Sequence, residues 1–409
     1  MSKLPDGWKH GTLSDVAAKQ YGLVDGPFGS NLKASEYISI GIPIIRGGNL
    51  STGATKFKDY GFVFVSQSKA DELIRSNCYP LDILFTKKGT LGQTGIIPPD
   101  ANYERYLLSS NQMKLTIEQS SADPYFVYYW VSSETAVAKI LNDATSTGVP
   151  QINLGYLRDF PILLPPLPEQ RAIAAILSTW DDAITLTKAL IEALQHRKQA
   201  LMQLLLTGEV RFQEFEGDEW EEIRLGDLVT IFSGESPSNF DLKKQGKYPF
   251  IKVEDLNNNR KYQHGSRQYS DSARKTTPSQ SVIFPKRGAA ILNNKVRLLS
   301  VPALMDSNMM ALFPDRDRVK SEYLYYLMLQ EKLYKIADTS TIPQINNKHI
   351  EPYTITLPEV SEQEKIADIL RYCDDEIDFL TQYHGNLIIQ KSALMQQVLT
   401  GAIRVQGLE

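Results

Sequence analysis

The sequence predicts an α+β protein. Two globular heads are separated by two long antiparallel coiled-coil-like helices, with internal pseudo-two-fold symmetry. Three observations predict this. LMQLLLTG at 201–208 returns as LMQQVLTG at 394–401, 193 residues later. The offset holds without a gap over residues 148–212, with 26 identities in 65 positions. Residues 169–206 and their second copy each carry an apolar seam at alternating spacings of four and three, the heptad spacing of paired helices. A duplicated unit that stops at two copies suits a two-fold molecule rather than a solenoid.

The repeat weakens toward the start of each half. Trp8 and Leu13 align with Trp220 and Leu225, IPIIRGGNL at 42–50 with YPFIKVEDL at 248–256, and DILFTKKGT at 82–90 with SVIFPKRGA at 281–289. Across these matches the offset drifts from 212 to 193. The expected boundaries are therefore 1–147, 148–212, 213–340 and 341–409, a variable domain before each constant segment.

In the first variable domain IPIIRG, FVFVS, DILFT, GQTGII and MKLTI read as strands; KYPFIKV, SVIFP and RLLS do so in the second. Helical patterns cover 124–142 and 321–337.

The first seam runs Ile173, Leu177, Trp180, Ile184, Thr187, Ile191, Leu194, Lys198, Leu201 and Leu205. The second runs Ile366, Leu370, Cys373, Ile377, Leu380, His384, Leu387, Lys391, Leu394 and Val398. Lys198 and Lys391 interrupt the seams, and a buried unpaired ammonium is costly. They are expected to snorkel or to fix register. Pro168 suits a first helical turn, Ser361 with Glu364 a capping box, and Gly208 and Gly401 a left-handed C-terminal residue. A helix of 38 residues spans roughly 57 Å, and its natural partner is its own copy.

Composition limits the classes. At 409 residues the chain is long enough for several domains. No apolar run is long enough for a membrane span, and the N-terminus has no apolar leader. Cys78 and Cys373 are too few for a disulfide scaffold and point to a reducing, cytoplasmic setting. The net charge of -4 disfavours a simple nucleic-acid binder. Residues 243–297, however, hold 13 Lys or Arg against 3 Asp or Glu, whereas 1–149 hold 14 of each sign.

Two heads on a fixed spacer suit a DNA reader that contacts two half-sites. The rival reading is a scaffold that grips two ligands. The loops after predicted strands supply the candidate DNA contacts. These are Lys33 in GPFGSNLK, Arg46 and Asn49 in IIRGGNL, and Lys87, Lys88, Thr90 and Gln93 in FTKKGTLGQTG. The second half offers Lys252, Glu254, Asn257 and Arg260, then Lys286, Arg287 and Asn294. Lys and Arg hold phosphates or read guanine; Asn and Gln pair with adenine.

No catalytic machinery is legible. The chain has no GxxxxGK[ST] loop, no ExK triplet and no HExxH or HxxxH pair. ADPYF at 122–126 only partly resembles an amino-methyltransferase element. Catalytic and metal-ligating residues are therefore expected to be absent.

The wording resembles the DNA-specificity (S) subunit of type I restriction-modification enzymes. The residues that carry this are PQIN at 150–153 and 343–346, LPPLPEQ at 164–170, LPEVSEQ at 357–363, the two LMQ…LTG phrases, and the WKHGTL and WEEIRL openings. The resemblance implies two target recognition domains, 1–147 and 213–340, each reading one half of a bipartite asymmetric target in double-stranded DNA. It implies two modification (M) subunits bound through the constant segments, which carry SAM and methylate adenine. Restriction (R) subunits would use ATP and Mg. This chain would hold no cofactor. The expected partner-binding and spacer residues are Gln151, Asn153, Glu169, Gln170, Ile173, Leu177, Trp180, Ile184, Leu194 and Leu201. In the second copy they are Gln344, Asn346, Glu362, Gln363, Ile366, Leu370, Ile377, Leu387 and Leu394. An orphan adaptor of the same fold, which binds partners without reading DNA, is the alternative.

Overall fold

The structure, a computed structural model, describes residues 4–50, 55–144, 149–258, 260–338 and 342–405. The expected boundaries at 147–148 and 340–341 lie outside the described residues. The chain forms two compact units, Met1–Leu190 with Leu380–Glu409, and Ile191–Phe379. Each is a mixed α/β body, and two long helices link them.

In the first unit Leu23–Asp25, Gln112–Leu115, Ile83–Thr86 and Thr94–Ile96 form an antiparallel sheet in that order. A second sheet runs Val63–Val65, Ile42–Ile45, Tyr106–Leu108 and Asn77–Cys78, and pairs Ile44 with Leu107 in parallel. In the second unit five strands run Val229–Ser233, Met309–Pro314, Val282–Pro285, Arg297–Leu299 and Tyr262–Gln263. Three more run Tyr269–Ser270, Tyr248–Ile251 and Leu304–Met305. The apolar runs read as strands are strands because both faces of each sheet are covered: Ile83–Thr86 and Val282–Pro285 are buried at every residue.

The helical patterns each break once. Ser133 ends Pro124–Ser132 and caps Glu134–Asp143, its Oγ accepting from the Ala136 N–H at 3.3 Å. Lys332, at φ +62°, separates Ser321–Glu331 from Leu333–Ile336.

The long helices are Leu167–Leu206 and Val360–Leu399, 40 residues each. Every seam position is buried or half-buried. Gly208 and Gly401 take φ of +73° and +74°. Bonds from the Val210 N–H to the Leu204 carbonyl and from the Ile403 N–H to the Gln397 carbonyl close the two helix ends around these glycines. Ser361 is not a cap. The Gln363 N–H already donates to the Glu359 carbonyl, so Ser361 lies inside the first turn. Lys198 and Lys391 do not snorkel either. Lys391 Nζ sits 2.5 Å from Asp181, and Lys198 pairs with Asp374.

The motif residues at the helix starts turn inward. Glu169, at 5 % exposure, accepts from Trp8 Nε1 at 3.1 Å and from Arg404 Nε and Nη2 at 2.8 Å each. Glu362, at 1 %, accepts from Trp220 Nε1 at 3.1 Å and from Arg211 Nε and Nη2 at 3.0 and 2.6 Å. Gln170 and Gln363 are buried beside them. Gln170 receives the Asp123 N–H and donates to the Pro165 carbonyl; Gln363 receives the Lys320 N–H and donates to the Pro358 carbonyl. These four residues therefore have no outward face for a partner, because their polar atoms complete the joint between helix and head. The openings beside them form two-stranded ribbons, Lys9–Thr12 with Pro161–Leu164 and Glu221–Arg224 with Thr354–Leu357.

Burial pushes the Glu169 carboxyl up, but the Arg404 guanidinium and the Trp8 indole outweigh it and hold the group below its ordinary 4.5. Its folded pKa thus lies below its unfolded one. The contribution is full above about pH 4.5 and is lost as pH falls through the folded value. Glu169→Ala removes a buried carboxylate with its charge-assisted bonds to the Trp8 indole and to the exposed Arg404 guanidinium, and costs about 2 kcal/mol at neutral pH. Denaturant melts of wild type and variant across the acid range check both: the difference between them narrows as pH drops.

Candidate nucleic-acid interface

The site grows from strand ends. Ile83–Thr86 delivers Lys87 and Lys88 into a turn. PQIN closes on that turn: the Ile152 N–H donates to the Lys87 carbonyl at 3.0 Å, the Gly89 N–H donates to Pro150 at 3.4 Å, and Lys88 pairs with Gln151. In the second unit the Ile345 N–H donates to the Lys286 carbonyl at 2.9 Å, Gly288 donates to Pro343 at 2.8 Å, and Arg287 pairs with Gln344. PQIN is thus a backbone clamp on a basic turn. Asn153 serves the clamp's exit, its Oδ1 accepting from the Tyr156 N–H at 2.8 Å to cap the next helix. Asn346 occupies the N-cap of Asn347–Ile350.

Three more loops meet the basic turn. The Lys87 N–H donates to the Asn111 carbonyl at 2.7 Å, and the Lys286 N–H to Asn308 at 2.8 Å. The Ser109 N–H donates to Ile45, beside Arg46, and the Asp306 N–H to Ile251, beside Lys252. Gly26 and Gly234 start the fourth loop. A Cβ on Gly26 would lie 1.9 Å from the Ser109 carbonyl oxygen, and one on Gly234 1.9 Å from that of Asp306. Only glycine admits so close a backbone approach.

This brings Arg46, Lys87 and Lys88 to one end of the first unit, and Lys252, Lys286 and Arg287 to one end of the second. Lys87 Nζ pairs with Asp25 at 2.9 Å, while Lys33, Arg46 and Lys88 are exposed and make no ion pair among the described residues. Thr90 is exposed and Gln93 half-buried on the same turn. Arg46, Gly48, Asn49, Tyr60 and Gly61 line a cavity of about 380 Å³. Burial pushes the half-buried Lys286 ammonium down, and Asp306 opposes that.

Two of the expected contacts have their amide groups engaged within the fold. Asn49 is 3 % exposed; its Oδ1 accepts from the Arg46 N–H, and its Nδ2 donates to the Lys58 and Tyr60 carbonyls at 2.9 and 3.0 Å. Asn294 donates to the Leu329 carbonyl and accepts from the Leu333 N–H. Both amides organise loops, which leaves neither to read a base. Glu254 pairs with Arg267 at 3.1 Å, and Asn257 accepts from Lys295.

The basic stretch is less charged than its sequence implies. Carboxylates from outside it, Asp241, Glu235 and Glu322, pair with Lys243, with Arg274 and Lys275, and with Lys261. Arg297 is buried and donates to the Leu256 and Val296 carbonyls. Among the described residues Lys252, Arg260, Lys286 and Arg287 make no ion pair. No group of three or more His, Cys, Asp or Glu among the described residues could hold a metal ion, and no helix there is long and apolar enough to cross a membrane.

The sequence reading missed Asp181, Asp374, Arg211 and Arg404. A signal existed: they are polar identities within the repeat, at an offset of 193. Gly26→Ala and Gly234→Ala each force the approaching backbone apart and cost about 2 kcal/mol. Denaturation midpoints measure this. Amide exchange in 109–112 and 306–309 rises only in the unit that carries the change.

Residues 5–196 and 217–385 match the family model for the type I restriction modification DNA specificity domain. A putative type I restriction enzyme MjaX specificity subunit from Methanocaldococcus jannaschii is 24 % identical over 389 residues, 90 % of this chain and 88 % of that one. The MjaIX specificity subunit of the same organism is 21 % identical over 440 residues, 100 % of this chain and 96 % of that one. The solved HsdS subunit from Thermoanaerobacter tengcongensis superposes with a TM-score of 0.53 at 18 % identity, covering 98 % of both chains. The S subunit of a type I system from M. genitalium gives 0.57 at 16 % identity, covering 97 % of this chain and 98 % of that one. At these identities the superpositions speak for the fold.

Proposed function

Because the chain belongs to the type I restriction modification DNA specificity family, we propose that it reads a bipartite, asymmetric target in double-stranded DNA for a type I complex. Residues 1–147 and 213–340 are the two target recognition domains. Segments 148–212 and 341–409 hold two M subunits, which bring SAM and methylate adenine. R subunits bring ATP and Mg and cut unmethylated DNA. This chain supplies the address and no bond-making step. The adenine leaves the stack to reach its methyltransferase pocket.

The observation that carries the reading is the basic turn clamped by PQIN in each unit. Arg46, Lys87 and Lys88 in one unit, and Lys252, Lys286 and Arg287 in the other, stand on backbone tied down by at least two neighbouring loops. Rigid presentation favours base reading over loose phosphate attraction alone. Lys33, Thr90, Gln93 and Arg260 flank these groups as further contacts. The expected pseudo-dyad draws support from reciprocal pairing. Asp181 pairs with Lys391 and Asp374 with Lys198; Glu169 pairs with Arg404 and Glu362 with Arg211. Each pair joins one copy of the repeat to the other, the exchange that a two-fold relation produces. Residue numbers rise along one helix as they fall along the other, which favours antiparallel, coiled-coil-like packing.

A methylation map of the host genome with and without this gene tests the reading. The expected result is loss of one two-part adenine-methylated motif. An unchanged map, with the M subunit active, overturns DNA specificity and leaves the orphan adaptor. Charge reversal separates the half-sites. Lys87→Glu with Lys88→Glu lowers the salt slope of binding by about 2 and weakens or alters one half-site; Lys286→Glu with Arg287→Glu does so at the other. Titration of labelled duplexes at several salt concentrations measures both.

A further inference from the structure

In each unit a charged cluster of low exposure joins the head to both long helices. In the first unit Asp181, at 2 % exposure, lies on the first long helix. Tyr129 of the head donates to its Oδ2 at 2.6 Å. Lys391 of the second long helix reaches its Oδ1 at 2.5 Å, with Nζ also 5.1 Å from the Tyr129 ring centre. Lys56 comes from the head as well, 3.3 Å from Oδ2. Burial, then Asp181, raise the Tyr129 phenol far above its ordinary value, so it stays a donor.

Lys56 is not an isolated contact. Two residues on, Lys58 exchanges two bonds with Asn49: its N–H donates to the Asn49 carbonyl at 2.9 Å, and its carbonyl accepts from Asn49 Nδ2. Asn49 in turn holds the Arg46 N–H. A chain of direct contacts therefore runs from Arg46 through Asn49, residues 58–56 and Asp181 to Lys391.

The second unit repeats it with different parts. Tyr326 donates to Asp374 at 2.6 Å, and Lys198 pairs with the same carboxylate. Lys261 donates to Tyr326 Oη at 3.0 Å and pairs with Glu322, which also accepts from Tyr262. The segment that bears Lys261 follows the Lys252 loop, as the segment that bears Lys56 follows the Arg46 loop.

We propose that these clusters are struts that fix each recognition loop against the helix pair, and so set how strictly the spacing between half-sites is read. The strut rests on the functional reading above. Apolar packing alone tolerates small slips of a head along a helix pair. A carboxylate shared by a phenol and one or two ammonium groups has one register in which all its bonds are made, and the low exposure of the cluster removes water as a substitute. Asp181, Lys56 and Lys391 are positioning residues that need not touch DNA.

The test uses the full chain assembled with its M subunits, on duplexes that carry the native target and targets with one base pair added to or removed from the spacer. In Asp181→Asn and Lys56→Met the ratio of off-length to native methylation rises roughly tenfold, the scale of one lost charge-assisted bond, while the sequence preference within each half-site stays. Lys56→Arg restores the ratio. Leu115→Ala, which destabilises the head but removes no charged or phenol group of the strut, leaves the ratio alone. Lys56→Met, on the partly exposed end of the cluster, keeps the test open if Asp181→Asn does not fold. A wild-type two-part motif with an unchanged ratio in the folded variants overturns the strut alone, and so does a ratio that moves equally in Leu115→Ala. A wild type with no two-part motif overturns the functional reading and the strut with it.

Discussion

The structure depends on one buried carboxylate at the first turn of each long helix. Glu169 and Glu362 each neutralise a guanidinium and receive an indole N–H. Three distant stretches of chain meet there: the opening of a head, the start of one helix and the residues after the end of the other. Bidentate pairing fixes direction as well as distance. Burial of the carboxylate makes the arrangement costly to break, since Glu169 or Glu362 without its guanidinium would remain charged with little water around it. A ribbon and a turn at the helix end then follow at each joint, because the chain has only a few residues in which to leave it.

From that joint the geometry passes outward. The ribbons lead into the sheets, and PQIN leaves the head to clamp the turn after the buried strand. The clamp is made of backbone bonds. It therefore holds the same shape around Lys87–Lys88 and Lys286–Arg287, although the side chains differ. A rigid backbone with interchangeable side chains lets two heads of one design differ in what they touch. Charge follows the same logic. Much of the basic excess in 243–297 is answered by carboxylates from neighbouring segments, which leaves a few cations at the loop end. A near-neutral chain can thus still present a basic edge.

The long helices do two jobs with one seam. Ile173 and Leu177 share the head core of the first unit with Leu394 and Val398. Leu201 and Leu205 share that of the second with Ile366 and Leu370. The seam is therefore core at its ends as well as a helix contact. This explains why apolar spacing persists where Lys198 and Lys391 enter it: each has a carboxylate on the other long helix as its partner.

By itself the sequence determined the two copies, the strands, the two long helices with their glycine ends, and the loops that carry the basic residues. These are readable because they rest on local rules: period, turn chemistry and identity at a fixed offset. Only the tertiary structure decided which polar residues face inward. Glu169, Gln170, Glu362 and Gln363 look like a surface signature and are joints. Asn49 and Asn294 look like base readers and hold loops together. Asp181 and Arg211 looked like nothing in particular and complete the charged clusters. The physical reason is that a polar side chain has no period that tells buried from exposed. Its role is set by the partner that meets it, and for Glu169 that partner lies 235 residues away in the chain.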